Sequence, residues 1–173
     1  MSAEAPIASV LVVCLGNICR SPMGEAVLAA AAKKRGLNIV VDSCGTAGYH
    51  AGEDPDSVSA SLVQSSLRSL MFPQRTVTTC NKHKIPISHK SRKLTNSDFT
   101  TFTHILASDD SNLRDIKRVM PANSTANIRL WGSYLDGKSI PDPWYGSLSG
   151  FENTYKQCTA LSEAFLDHLE GKE

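Results

Sequence analysis

A short β-branched run, Ser9-Val-Leu-Val-Val13, passes without a break into Cys14-Leu-Gly-Asn-Ile-Cys-Arg20-Ser21, and from there into an alanine-rich stretch ending at Arg35-Gly36. No other feature narrows the fold as much. The apolar run has the composition of a strand buried on both faces of a parallel sheet. Gly16 and Asn17 tolerate the left-handed backbone that a tight loop needs. Ser21-Pro22 reads as a helix start, with the hydroxyl at the N-cap and proline at the first helical position. Glu25 is expected in that first turn, where the helix dipole favours an anion. Alanine carries the helix to Arg35, and Gly36 stops it. Ile39 to Val41 reads as the next strand. Strand, loop, helix and strand make a βαβ unit, whose ligand site lies at the carboxyl end of its first strand.

The pattern continues more loosely downstream. Ser43 to Asp56 reads as loop, with three glycines and a proline. Ser59 to Leu70, with leucines at 62, 67 and 70, reads as an amphipathic helix of poor register and many serines, closed by Pro73. Val77 to His83 predicts a short helix, Asp98 a turn, Ile105 to Ala107 a strand and Asn112 to Val119 a helix. Ile128 to Leu130 is the last expected strand. Trp131 to Gly150 reads as a long loop, a length often tied to function. Phe151 to Leu169 reads as a helix with Cys158, Leu161, Phe165 and Leu169 on one face.

The 173 residues fit a single domain, residues 1–173, without internal repeat or linker. Eighteen Lys and Arg against seventeen Asp and Glu leave a formal charge of +1, too little to attract a nucleic acid or a membrane surface. No apolar stretch reaches the roughly 18 residues of a membrane span. Met1 to Pro6 lacks the basic start and apolar core of a secretory signal. Five cysteines, an odd number, suit a reducing compartment, so a cytoplasmic protein is expected.

The chemistry concentrates in the loop after the first strand. A short loop entering a helix can turn successive N–H groups inward as a nest for an anion. Five residues between Cys14 and Arg20 let the chain encircle a tetrahedral phosphate and bring Arg20 back beside it. Its guanidinium then holds two oxygens in a planar fork, which lysine cannot do. Leu15, Gly16, Asn17, Ile18, Cys19, Arg20 and Ser21 are the candidate phosphate cradle. Cys14 sits at its base, where inward N–H groups, the helix dipole and Arg20 all favour the thiolate. Ser21 is placed to donate a hydrogen bond to the sulfur. This is no nucleotide-binding loop of the G-x-x-x-x-G-K-[ST] kind; Gly137-Lys138-Ser139 runs into Pro141, and no helix follows.

Expelling an alcohol from a phosphate monoester calls for a proton donor. Asp142, stiffened between Pro141 and Pro143, is the candidate. Trp144 and Tyr145 follow at once and could stack on an aromatic leaving group. Taken alone, this stretch also reads as a surface turn. The block Cys14 to Pro22, with Asp142-Pro-Trp-Tyr-Gly146, resembles the low-molecular-weight protein tyrosine phosphatases of eukaryotic type. Asp42-Ser43 followed by Tyr49, Ser88-His89-Lys-Ser-Arg92, Asp109-Asp-Ser-Asn-Leu-Arg114 and Phe151-Glu-Asn-Thr-Tyr155 resemble family blocks in the same order.

The resemblance implies an α/β fold: a four-stranded parallel sheet flanked by helices on both faces, with the phosphate loop between the first strand and the first helix. It implies hydrolysis of phosphotyrosine and aryl phosphates through a cysteinyl-phosphate, with acid phosphatase activity and neither cofactor nor metal. Cys14 would be the nucleophile, Arg20 the clamp, and Asp142 the acid that later activates water. Asn17, Ser21, Ser43 and His89 match positions that support the loop. Tyr49, Trp144 and Tyr145 match the walls of the phenol slot, and Cys19 matches a second thiol that can form a protective disulfide with Cys14. Tyrosine-phosphorylated proteins and small aryl phosphates are the implied partners of a mostly monomeric protein capable of weak self-association.

Read singly, His89 is an ordinary satisfied histidine, Asp109-Asp110 a helix cap, and Cys44, Cys80 and Cys158 small hydrophobes. The chain departs from the family between Asp56 and Cys80, where residues 57–75 form an expected insertion or extended loop. Ala107-Ser108 stands where a bulkier pair is common. Three other readings remain at this level: an arsenate reductase on the same scaffold, a phosphate-binding or phosphotyrosine-reading module without turnover, and a redox sensor using Cys14 and Cys19. Cys80 lacks a nearby partner cysteine for an electron relay, and a pure reader has no use for both Cys14 and Asp142.

Overall fold

The computed structural model describes residues 5–52 and 75–172. Four strands pair in parallel: β1 (Ala8–Cys14), β2 (Ile39–Gly45), β3 (His104–Ala107) and β4 (Asn127–Leu130), in the spatial order β2-β1-β3-β4. β1 is an inner strand, apolar and buried from Val10 onward, as a strand covered on both faces must be. Its side chains alternate. Val10 and Val12 join one core cluster; Leu11 and Val13 join the other.

The first cluster lies beneath α1 (Arg20–Arg35), α2 (Arg75–Lys82) and the C-terminal α5 (Leu148–Leu169), with Met23, Leu28, Leu161 and Phe165 fully buried. The second lies beneath α3 (Asp98–Thr101) and α4 (Asp110–Val119), around Phe99, Ile105 and Ile116. Helices therefore cover both faces, as expected. Cys158, Leu161 and Phe165 are buried and Leu169 packs partly buried beside them, the stripe expected of the last helix.

Local boundaries differ for physical reasons. β2 runs to Gly45, so Ser43 lies in a strand: residues 42–45 pair with Leu11 to Cys14 despite their polarity. Helix α1 begins at Arg20 with Cys19 at its N-cap, and no side chain caps it. Ser21 does not cap because its hydroxyl is engaged by Cys14 and Asn17. Glu25 consequently lies beyond the first turn, which holds no acid; its carboxylate serves Ser43 and His89 instead. The expected long loop opens with a 3-10 turn, Trp131–Tyr134, and ends where α5 begins at Leu148. Trp131 is fully buried over Gly24, where a Cβ would stand 2.7 Å from the indole. The expected helix from Ser59 to Leu70 and all but the last residue of the expected insertion, 57–75, fall outside the described residues; Arg75 opens α2.

Candidate active site

The loop from Cys14 to Arg20 crosses the carboxyl end of the central strand, and its backbone is tied back to the protein body. Cys14 and Leu15 carbonyls accept from Thr46 and Ala47 N–H groups at 2.9 and 3.0 Å. The Asn17 carbonyl accepts from Ser91 Oγ at 2.5 Å, and that of Ile18 from Thr76 Oγ1 at 2.9 Å. Turning these carbonyls outward is what lets such a loop aim N–H groups inward. Gly45 permits the close approach, since a Cβ there would stand 2.6 Å from the Leu15 carbonyl oxygen.

Asn17 organises the loop. Its φ is 56°, a left-handed value that asparagine tolerates better than most residues. Its side chain is fully buried and every hydrogen-bonding position is used. The amide nitrogen donates to Ser21 Oγ and Ser43 Oγ, both at 2.9 Å. The amide oxygen accepts from Arg92 N–H at 2.9 Å and from His89 Nε2 at 2.7 Å. A backbone N–H can only donate, which fixes the amide's orientation and makes His89 Nε2 a donor. His89 Nδ1 faces Glu25 Oε2 at 3.0 Å, and Ser43 Oγ donates to the same carboxylate at 2.6 Å. The four residues expected to support the loop, Asn17, Ser21, Ser43 and His89, are thus one network, extended by Glu25 and Arg92. Glu25, Asp42 and His89 bring ligand-type atoms within 4.8 Å of one another, but each already has a partner: Asp42 is held by Arg92 at 2.8 Å.

Asn17→Ala is expected to lower the unfolding free energy by about 3 kcal/mol, because it strands buried donors and acceptors and leaves alanine at a left-handed φ. Urea unfolding measures it; a loss near zero would mean the network is dispensable.

Cys14 Sγ lies at the base of a cleft of about 220 Å³, 3.0 Å from Ser21 Oγ and 3.2 Å from the Asn17 backbone nitrogen, which donates to it. Ser21 has one proton and accepts from Asn17, so that proton goes either to the sulfur or to the Cys44 carbonyl at 3.3 Å. A thiolate is the stronger acceptor. The other thiols are different. Burial pushes Cys44 up, and pushes Cys80 up to about 12 and Cys158 higher still. They are inert packing, as expected of small hydrophobes.

Arg20 is 3% exposed. Burial alone would lower its pKa, but the Cys14 sulfur and the carboxylates of Asp109 and Asp142 outweigh that and raise it. One guanidinium nitrogen donates to Asp109 Oδ2 at 2.5 Å and to the Ile140 carbonyl at 3.0 Å; the other reaches Asp142 Oδ2 at 3.3 Å. Asp109 also caps α4, accepting from Asn112 N–H at 2.7 Å. The cap reading of Asp109 is therefore correct and incomplete: the same carboxylate orients Arg20.

Leu15, Gly16, Ile18, Cys19 and Arg20 line the cleft, whereas Asn17 and Ser21 lie beneath it. Asp142, Trp144, Tyr145 and Tyr49 form its upper wall. Asp142 Oδ1 accepts from Trp144 N–H at 3.0 Å, which fixes the acid relative to the indole. Tyr49 and Tyr145 are largely exposed. Sequence reasoning missed His50, whose ring lines the cleft, lies 5.9 Å from that of Trp144 and reaches Gly16 because no Cβ intervenes. Its position next to Tyr49 was the available signal. Ser91, which tethers the loop, lay inside the Ser88–Arg92 block without being singled out, and Thr76, the other tether, carried no signal.

A family model described as low molecular weight phosphotyrosine protein phosphatase matches residues 9–173. The protein of that name from Schizosaccharomyces pombe is 42% identical over 92% of this chain and 96% of its own length. The human protein of that name is 42% identical over 95% and 98%. Among solved structures, a Drosophila arginine phosphatase superposes with a TM-score of 0.80 at 31% identity, covering 95% of this chain and 99% of the other. Similarity this high, sustained from the first strand to the last helix, leaves one assignment: the chain belongs to the low molecular weight phosphotyrosine protein phosphatase family.

Proposed function

We propose that the protein hydrolyses phosphotyrosine in proteins and small aryl phosphates, with Cys14 as nucleophile, Arg20 as phosphate clamp and Asp142 as general acid and base. The observation that carries the reading is the sulfur at the cleft base, accepting from the Asn17 N–H and lying 3.0 Å from Ser21 Oγ, while Arg20 holds Asp142 above it. A phosphate in the loop competes with Asp142 for the Arg20 nitrogen and frees the acid to face the leaving oxygen. The sulfur attacks phosphorus in line, the bond from phosphorus to the phenolic oxygen breaks, and Asp142 gives that oxygen its proton. The Asp142 carboxylate then takes a proton from water as the water oxygen attacks the cysteinyl-phosphate. The sulfur leaves as thiolate and phosphate is released. Arg20 and the loop N–H groups meet the charge that develops on the transferring group.

The aromatic wall favours aryl leaving groups. Cys19, also buried at the loop, is the proposed partner of Cys14 in a disulfide formed under oxidation. No described helix is long and apolar enough to cross a membrane.

The decisive experiment is a kinetic panel of phosphotyrosine, phosphoserine, an alkyl phosphate and phosphoarginine, run in EDTA. Phosphotyrosine is expected to be turned over far faster than the others, with no loss to the chelator. Equal rates on all four would remove the aryl preference, and faster phosphoarginine hydrolysis would replace it. Asp142→Asn tests the acid. It is expected to slow phenyl phosphate by about 100-fold and nitrophenyl phosphate far less, because a poor leaving group needs the proton more. Equal slowing of both would take that role from Asp142.

A further inference from the structure

A second cleft, of about 440 Å³, opens on the far side of Tyr49 from the catalytic one, and the two share Leu15 and Tyr49 as a common wall. Leu94 and Phe99 contribute apolar floor, Val119 of α4 is 55% exposed at the edge, and the charged rim is Lys93, Arg118 and Asp115. Arg118 and Asp115 pair with each other at 3.1 Å and leave no net charge. Lys93 is exposed and forms no ion pair with a described residue, so among the described residues the cleft carries one uncompensated positive charge.

Lys93 is also well placed. Its backbone bridges Gly45, with Gly45 N–H donating to the Arg92 carbonyl at 2.9 Å and Leu94 N–H to the Gly45 carbonyl at 2.8 Å. Gly45 is the residue on which the phosphate loop rests. The lysine stem lies along Gly48, with Cδ 3.5 Å from where a Cβ would be. A cation is thereby anchored to the same backbone that carries the catalytic loop, across one tyrosine ring from the catalytic pocket.

Resting on the phosphatase reading, we propose that this cleft is a substrate subsite that takes an acidic residue flanking the phosphotyrosine, whose carboxylate meets Lys93. The occupant belongs to the chain already seated in the catalytic cleft, because the two clefts are neighbours that share Leu15 and Tyr49. The apolar floor accommodates the methylene stem of an aspartate or glutamate while the cation meets its head. An exposed ion pair contributes about 0.2–1 kcal/mol, up to about fivefold in an equilibrium, so the subsite sorts among phosphotyrosine sequences and does not create activity.

The test compares kcat/KM for phosphotyrosine peptides in which a single glutamate, moved along both flanks, is exchanged for glutamine. Both peptides of a pair use the same catalytic pocket, so their ratio cancels any effect of a substitution on catalysis. The protein is expected to prefer glutamate about threefold to fivefold at one flanking position, with the preference carried by KM and fading in high salt. Lys93→Met should bring the ratio to about one, and Lys93→Glu should invert it. Should Lys93→Glu fail to fold, the Lys93→Met ratio and the salt dependence of the unsubstituted protein decide. A ratio of one at every position, or a preference that survives both substitutions, overturns the subsite alone. Turnover of neither peptide by the unsubstituted protein overturns the phosphatase reading and the subsite with it.

Discussion

Cys14→Ser is expected to reduce turnover of nitrophenyl phosphate by at least about ten-thousandfold, the order seen when a covalent nucleophile is removed from a site that otherwise remains intact. The fold should survive. Cys14 is 3% exposed at the end of a central strand, and a hydroxyl can keep both the Asn17 N–H and the Ser21 hydroxyl as partners. What changes is the reacting atom. The cleft offers the sulfur hydrogen-bond donors and a buried guanidinium, which favour an anion, but a serine hydroxyl loses its proton far less readily than a thiol, and the Asn17 N–H and Ser21 hydroxyl that contact this atom are not bases. The loop should still hold phosphate, so the variant is expected to bind aryl phosphates with little change while turning them over hardly at all. Rapid acid quench of the unsubstituted protein with labelled substrate should leave phosphate on the polypeptide, and the variant should leave none. Comparable turnover by both proteins would exclude attack by this sulfur.

Arg20→Lys conserves charge and is nevertheless expected to cost about a thousandfold in kcat/KM. A preorganised donor aimed at developing charge is worth about 100-fold to 1,000-fold, and lysine lacks the planar fork that meets two oxygens at once. The structure adds a second cost. The guanidinium already spans Asp109, the Ile140 carbonyl and Asp142 from a position 3% exposed. A single ammonium cannot reach all three and hold phosphate, so Asp109 loses a buried partner and Asp142 loses its orientation. Both kcat and KM should therefore worsen, and thermal unfolding should begin at a lower temperature. Near-normal kinetics in this variant would mean that positive charge alone suffices and that the fork is unimportant.

Different physical signals made different parts of this protein legible. The central strand could be read because burial on both faces demands an unbroken apolar run, which Val10 to Val13 supply. The first helix could be read because alanine and the closing glycine are local signals. Its starting residue could not. A local rule assigns Ser21 to the cap, whereas Cys14 and Asn17, brought close by the loop, claim its hydroxyl. Glu25 shows the same displacement, from a helix-dipole partner to the support of Ser43 and His89. The second strand was underestimated because Asp42 and Ser43 look like loop residues until β1 pairs with them.

The proposed catalytic trio was visible as chemistry before any fold was known. Spacing joins Cys14 to Arg20 within one loop, and Asp142 stands out between two prolines. The resemblance to the family joined the two segments. The contacts among them belong to the fold: the Arg20 pairings with Asp109 and Asp142 close chain separations of 89 and 122 residues. His50, Ser91 and Thr76 enter the site only through such closures.

The amino-acid order alone determined the elements whose signals are local: an apolar strand, a glycine-bearing loop with cysteine and arginine six apart, and an alanine helix. Only tertiary structure decided which donors reach the sulfur, which carboxylates hold the arginine, and that a lysine beyond Tyr49 borders the same surface. The reason is physical. Propensity and periodicity act between near neighbours along the chain, whereas hydrogen bonds and ion pairs act between near neighbours in space, and only folding makes distant residues near.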